Sequence, residues 1–148
     1  MAEQSISEIK PQQWTAIFEP EPVIVAYLFG SQARGGAGPL SDVDVAVLAP
    51  ESLPRDGARF DLRLRLTNEL ITLLGVDQVD VVVLNDAPLL LQHRVLRDGL
   101  VLFCRDELAR VRYEAQAILK YLDFRHIEQM HNEALMKRIE QEGLFARP

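Results

Sequence analysis

The fold is decided by FGSQARG at residues 29–35 and SDVDV at residues 41–45. The first segment is a turn of small residues at the end of the apolar run 23–29, and the second opens another apolar run. Successive side chains on a β-strand point to opposite faces, so we expect Asp42 and Asp44 to project from the same face. Two carboxylates this close repel each other and ionise together only when a cation lies between them. The two segments therefore predict a strand, a turn and a second strand that carries a cation site.

The turn itself predicts a phosphate site. Gly30 and Ser31 offer backbone amides and a hydroxyl, which are groups that cradle phosphate. Hard oxygen ligands beside such a cradle predict Mg²⁺ carrying a nucleoside triphosphate. Mn²⁺ would suit the same oxygen ligands.

Asp80 is a third candidate carboxylate, in the apolar run 79–84. A carboxylate in such a strand is costly to bury unless it is paired or binds a metal. If this strand lies beside the one that carries Asp42 and Asp44, the three carboxylates converge. They would then hold two Mg²⁺ ions for an in-line displacement, with Asp80 helping to deprotonate the acceptor. The alternative is that Asp80 merely flanks the start of the strand, next to Asp77.

Composition limits the possible partners. The chain has 148 residues, is 48% hydrophobic and 26% charged, and has a formal net charge of −6. Basic and acidic side chains balance in residues 104–148, so residues 1–103 carry the acidic excess. An acidic domain argues against direct nucleic-acid binding, which needs several Lys or Arg on one face.

Cysteine content and hydropathy indicate the cellular compartment. The single cysteine, Cys104, excludes an internal disulfide and fits a reducing compartment. No apolar run approaches the ~20 residues that span a bilayer, and the polar start of the chain lacks the apolar core of a signal peptide. We therefore expect a cytoplasmic protein that does not bind membranes.

Hydrophobic periodicity predicts an α/β fold, with a small mixed β-sheet flanked by helices and a long C-terminal helix. The predicted strands are 23–29, 42–48, 79–84 and 100–103, and the predicted helices are 7–18, 58–74, 88–99 and 106–141. We expect Ser7 to cap the first helix. The predicted apolar stripe of the second helix comprises Phe60, Leu64, Leu70, Ile71 and Leu74, and Gly75 is expected to end that helix.

The motif formed by Gly30-Ser31, ten further residues and Asp42-Val43-Asp44 resembles the signature of the polymerase-beta-type nucleotidyltransferase superfamily. With Ala33-Arg34-Gly35 inside it, the motif is most similar to the minimal nucleotidyltransferases (MNT, the MntA-type antitoxins), which are encoded beside HEPN toxins. The resemblance is closest over residues 27–48 and extends to Asp80. It implies a polymerase-beta-like fold, with a minimal nucleotidyltransferase domain in residues 1–103. Residues 104–148 would be a helical extension that packs on this domain, on a partner, or on both.

The resemblance also implies roles for individual residues. Gly30 and Ser31 would hold the triphosphate, and Arg34 would neutralise phosphate charge, with a surface ion pair as its alternative role. Asp42, Asp44 and Asp80 would be the catalytic, metal-binding carboxylates.

The function that the resemblance implies is that of an antitoxin enzyme. It would transfer AMP from ATP, with Mg²⁺, to a tyrosine hydroxyl of a cognate HEPN ribonuclease toxin and so neutralise it. Two alternatives stay open: an antitoxin that neutralises by binding alone, and a nucleotidyltransferase acting on a small molecule such as an aminoglycoside.

Overall fold

Short strands and helices alternate along the chain. The computed structural model describes residues 5–30, 32–33 and 42–142. The strands are β1 (Val25–Phe29), β2 (Val43–Leu48), β3 (Val79–Val83) and β4 (Leu100–Cys104). The α-helices are α1 (Pro11–Phe18), α2 (Gly57–Leu74), α3 (Leu89–Asp98) and α4 (Glu107–Glu142), and short 3₁₀ turns occupy Ile6–Glu8 and Leu84–Asp86.

The four strands form one mixed sheet in the order β3-β2-β1-β4. β1 pairs antiparallel with β2 and with β4, whereas β2 and β3 are parallel. A parallel pair needs a crossover connection, and α2 supplies it between β2 and β3. The predicted α/β class with a small mixed sheet is confirmed.

The two faces of the sheet are covered by different helices. Val43, Val45 and Val47 of β2 lie in the core on the side of α1 and α2. Tyr27 and Ala46 lie on the opposite side, in the core that includes α3. β2 therefore has the predicted alternation, and Asp44 belongs to the second face because it is two residues from Ala46.

The buried stripe of α2 differs from the prediction. The fully buried residues are Leu62, Leu66, Leu70 and Leu74, while the predicted stripe members Phe60 and Leu64 are 57% and 49% exposed. Positions two residues apart lie about 200° apart around a helix, so Phe60 and Leu64 cannot share a face with Leu62 and Leu66. As predicted, the helix ends at Gly75, which has a left-handed φ of 66° and donates its N–H to the Ile71 carbonyl at 2.9 Å.

The first helix also begins later than predicted. Ser7 lies in a 3₁₀ turn, and α1 starts at Pro11 rather than after Ser7. The fixed φ of proline suits the first position of a helix, where no N–H donor is needed. The backbone N–H of Lys10 is satisfied instead by Gln13 Oε1 at 2.9 Å.

α4 is one continuous helix of 36 residues. The long C-terminal helix is therefore confirmed, and its continuity, which the sequence left open, is given by the structure. Its first part packs on α3, where Tyr113 donates a 2.8 Å hydrogen bond to Gln92 Oε1 and Tyr121 stacks on His93 at 3.5 Å between ring centroids. Nearly all residues after Tyr121 are exposed. No helix in the described ranges has the length and apolar character needed to cross a membrane.

Candidate active site

Gly30 is in direct contact with the Asp44 carboxylate. Gly30 follows β1 and has a φ of 75°, in the region that only glycine adopts without strain. A Cβ at this position would lie 3.2 Å from Asp44 Cγ and closer still to Oδ2. The turn therefore requires glycine for two reasons, its backbone conformation and the close approach of Asp44.

Asp44 and Asp80 are neighbours across the sheet. They are register partners on the parallel strands β2 and β3, so their side chains project from the same face. Phe29, the last residue of β1, is the register partner of Asp44 on the other side. The topology thus brings two of the predicted carboxylates together beside the end of β1.

Burial raises the pKa of the Asp44 carboxyl, and the negative charges of Asp80 and then Asp42 raise it further. Asp42 immediately precedes β2 and is exposed. Asp42 lies two residues before Asp44, so its negative charge adds to that of Asp80 at the Asp44 carboxyl. A cation placed among them would remove this repulsion.

The donor set suits a magnesium ion that arrives with its substrate. Within residues 5–30, 32–33 and 42–142, no group of three His, Cys, Asp or Glu side chains is arranged to hold a metal ion unaided. Mg²⁺ is usually bound by one or two carboxylates together with water and substrate phosphates. Asp44 and Asp80 fit that mode, and ligation by all three carboxylates stays a prediction.

Two other predicted site residues, Ser31 and Arg34, lie outside the described residues. Their predicted contacts with the triphosphate stay predictions.

The carboxylate pair opens into a cleft of about 630 Å³. Asp44, Asp80 and Phe29 line it on the sheet side, and Pro88 and Leu91 line it on the α3 side. We refer to it as the carboxylate cleft.

The remaining wall of the carboxylate cleft was not predicted from the sequence. It contains Arg55, Arg59 and Arg63, together with Asp86 after β3. The only sequence signal for the arginines is their spacing of four residues, which aligns side chains along one side of a helix.

Asn85 links the C-terminal ends of β2 and β3 by hydrogen bonds. Its Oδ1 accepts a 2.9 Å hydrogen bond from the Ala49 N–H, and its Nδ2 donates a 2.8 Å bond to the Ala49 carbonyl. Ala49 follows β2 and is 1% exposed, so both of its backbone groups depend on this side chain. The amide therefore helps to hold the register that sets Asp44 beside Asp80.

Known proteins resemble the chain in sequence family and in fold. The model of the family described as polymerase beta, nucleotidyltransferase, matches residues 12–108, about two-thirds of the chain. No curated protein matches. A crystal structure of a toxin–antitoxin with AMP-PNP contains a chain that is 25% identical, with a TM-score of 0.67, covering 86% of this chain and 99% of that one.

Two further structures share the fold at lower identity. An MntA–HepT toxin–antitoxin crystal structure matches at 23% identity with a TM-score of 0.61, covering 85% of this chain and 96% of that one. A tri-AMPylated Shewanella oneidensis HEPN toxin in complex with MNT antitoxin matches at 23% identity and a TM-score of 0.61, covering 85% of this chain and 95% of that one. Taken with the family match, they lead to one assignment: the chain belongs to the polymerase beta nucleotidyltransferase family and has the fold of its MNT-type members.

Proposed function

We propose that the protein is an antitoxin that transfers AMP from ATP to a tyrosine hydroxyl of a cognate HEPN ribonuclease toxin in the cytoplasm. The observation that carries the proposal is the contact of Gly30 with Asp44 and the register pairing of Asp44 with Asp80. It combines a backbone turn suited to phosphate with two carboxylates suited to a divalent cation.

The reaction is a substitution at the α-phosphorus of ATP. The acceptor oxygen bonds to that phosphorus, the bond to the β-phosphate breaks, and pyrophosphate leaves with the electron pair. Bound Mg²⁺ would offset the negative charge of the triphosphate. Asp44 and Asp80 would hold it, with Asp42 near them, and Gly30 would place its backbone against the phosphates. Asp80 lies on an edge strand and is exposed, so it is the carboxylate best placed to receive the proton of the acceptor hydroxyl.

The acceptor we propose is a protein because α4 extends far beyond its own domain. Leu119, Ile127 and Met130 are 62%, 65% and 56% exposed on this helix. An apolar helix face of this kind is typical of helices that dock on another protein. We assign residues 1–103 to the catalytic domain and residues 104–148 to an extension whose distal part contacts the toxin.

The family and fold support this partner. The similar structures include a tri-AMPylated HEPN toxin in complex with its MNT antitoxin and a toxin–antitoxin with AMP-PNP. An adenylyl group adds negative charge and bulk to the modified surface. Placed where the toxin receives RNA phosphates, it would oppose RNA binding and so account for neutralisation.

Incubation of the purified protein with Mg²⁺ and the HEPN protein encoded by the neighbouring gene tests the proposal. ATP labelled on the α-phosphate should transfer its label to the toxin, whereas ATP labelled on the γ-phosphate should not. An Asp42→Ala, Asp44→Ala double variant should transfer no label, and an Asp77→Ala variant should transfer it like the wild type because Asp77 lies outside the carboxylate cleft.

Two outcomes would favour the alternatives. Neutralisation of the toxin by the double variant, without label transfer by the wild type, would show an antitoxin that acts by binding alone. Transfer to an aminoglycoside in the absence of any protein partner would show a small-molecule nucleotidyltransferase.

A further inference from the structure

Three arginines line the same cleft as the catalytic carboxylates, and nothing in the proposed transfer to tyrosine uses them. Arg55 precedes α2, and Arg59 and Arg63 follow it at intervals of four residues. Arg59 and Arg63 lie about one turn, or roughly 6 Å, apart along α2, and Arg55 lies before them, so the three residues form a line rather than a point. We refer to them as the arginine row.

The arginine row lies on the opposite side of the carboxylates from Gly30. The sheet order runs from β1, which ends at Gly30, through β2 with Asp44 to β3 with Asp80 at the edge. Strands are about 4.8 Å apart, so β1 and β3 are separated by about 10 Å. α2 packs on β3, and its arginines line the cleft together with Asp80 of that edge strand. In an in-line displacement the leaving pyrophosphate and the attacking acceptor lie on opposite sides of the reacting phosphorus. With the triphosphate at Gly30, the arginine row is on the acceptor side.

The row retains uncompensated positive charge. Arg59 Nη1 lies 2.6 Å from Asp86 Oδ1, and Arg55 Nε lies 3.5 Å from the same oxygen, so one carboxylate serves two guanidinium groups. No ion pair connects Arg63 to any residue in the part of the chain that the structure describes. Asp56 also lines the cleft but pairs with none of the three within those residues. Three arginines are too few to grip an extended nucleic acid, but enough for one or two phosphate groups.

We propose that the arginine row binds the phosphodiester of an acceptor that already carries AMP, and thereby supports the addition of further AMP units. The inference rests on the proposed function. A tyrosine acceptor is uncharged and needs no cation, whereas the ribose hydroxyl of an attached AMP comes with a phosphodiester nearby.

In the second transfer that hydroxyl oxygen bonds to the α-phosphorus of a new ATP, pyrophosphate leaves with the electron pair, and the hydroxyl proton passes to Asp80 or to water. Arg63 is the member that acts most directly, because Arg55 and Arg59 both lie against Asp86 whereas Arg63 has no ion pair within the described residues.

A binding measurement tests the row without any transfer. Fluorescently labelled tri-adenylate is titrated against the full chain, and ATP is titrated separately. The Arg63→Ala variant should bind tri-adenylate about tenfold more weakly than the wild type, and its loss of ATP affinity should be clearly smaller. Arg65→Ala is the matched control, because Arg65 is on the same helix but outside the cleft, paired with Glu21 at 2.8 Å. Equal tri-adenylate affinity for Arg63→Ala and the wild type would overturn the proposal. An equal loss for ATP and tri-adenylate would also overturn it, since the row would then serve the triphosphate.

Counting adducts on the toxin by intact mass provides the second test. The wild type should produce toxin with more than one AMP, and Arg63→Ala should lower the ratio of multiply to singly modified toxin about tenfold. An unchanged ratio, or a wild type that adds a single AMP only, would overturn the role of the row and leave the proposed function intact. A wild type that adds no AMP would overturn the proposed function. The tri-adenylate titration would still test whether the arginine row binds a phosphodiester.

Discussion

Asp44 and Asp80 are register partners on parallel strands, and they point to the same side of the sheet. Neighbouring strands lie about 4.8 Å apart, so two ionised carboxylates in this arrangement repel each other. Burial and, after it, this repulsion raise the pKa of Asp44. A pair of this kind costs stability, and the cation that we propose to bind between the two carboxylates would offset that cost.

Replacing Asp44 with asparagine should therefore stabilise the protein when no metal is present. The raised pKa means that the ionised form of Asp44 opposes folding at neutral pH. Solvent screening limits the expected gain to below about 1 kcal/mol. Added Mg²⁺ should raise the melting temperature of the wild type but not that of Asp44→Asn. Asp77→Asn, an exposed carboxylate outside the cleft, is the control. A melting temperature of Asp44→Asn at or below the wild-type value without metal would contradict the repulsion.

Gly30→Ala should abolish nucleotide transfer while leaving a folded protein. The added Cβ meets the Asp44 carboxylate, and the φ of 75° disfavours any L side chain. We expect a destabilisation of about 1–3 kcal/mol in denaturant unfolding and a loss of transfer of at least ~100-fold. Gly57→Ala is the matched control, because a Cβ there meets nothing within 4 Å at the first position of α2. If the two variants behave alike, the contact of Gly30 with Asp44 does not govern the site.

Asn85→Ala should destabilise the protein by about 1–3 kcal/mol, because it leaves the buried N–H and carbonyl of Ala49 without partners. Asn85→Asp should recover part of this loss, since a carboxylate accepts from the N–H but cannot donate to the carbonyl. Chemical denaturation of the two variants beside Asn68→Ala, which removes an exposed amide on α2, measures the effect. A cost for Asn85→Ala no larger than that for Asn68→Ala would show that the amide does not hold β2 and β3 together.

Alkaline pH should lower the free energy of unfolding because of Tyr27. Its hydroxyl is buried and donates a 2.7 Å hydrogen bond to Glu114 Oε1. Burial first, and then this hydrogen bond and the charge of Glu114, raise the pKa of Tyr27 far above its ordinary value of 10.0. Tyr27 thus contributes stability that is fully present below the unfolded pKa and falls as the pH rises above it, because only the unfolded chain then releases the proton.

Unfolding experiments from neutral pH to about pH 11 should show this loss, worth roughly 1 kcal/mol at the upper end for a single tyrosine. Tyr27→Phe should be less stable than the wild type at neutral pH but lose less stability on the way to alkaline pH. Parallel pH dependences for the two proteins would contradict the assignment.

The sequence predicted those parts of the structure that depend on strong local patterns. The alternation of Val43, Asp44 and Val45 defined β2 and its two faces, and Gly75 marked the end of α2 through its left-handed conformation. The pairing of Asp80 with Asp44 was predicted only on the condition that their strands are neighbours. That condition is set by the parallel crossover through α2, which no local pattern specifies.

The failures have a common physical origin in contacts between distant segments. α2 contains apolar residues on more than one side. Its packing on the sheet determines which of them are buried, and these include Leu62 and Leu66. The arginine row was not predicted because a charged residue on a helix usually lies on a solvated face, and only the packing of α2 on β3 brings Arg63 into the cleft that Asp80 lines.

The most direct test of the central claim is the intact mass of the cognate HEPN toxin purified from cells that also produce this protein. We expect the toxin to carry adenylyl groups on a tyrosine when it is produced with the wild type, and to have its unmodified mass when it is produced with Asp44→Asn. Unmodified toxin that is nevertheless neutralised by the wild-type protein would contradict the claim that the carboxylates at Asp44 and Asp80 transfer AMP to it.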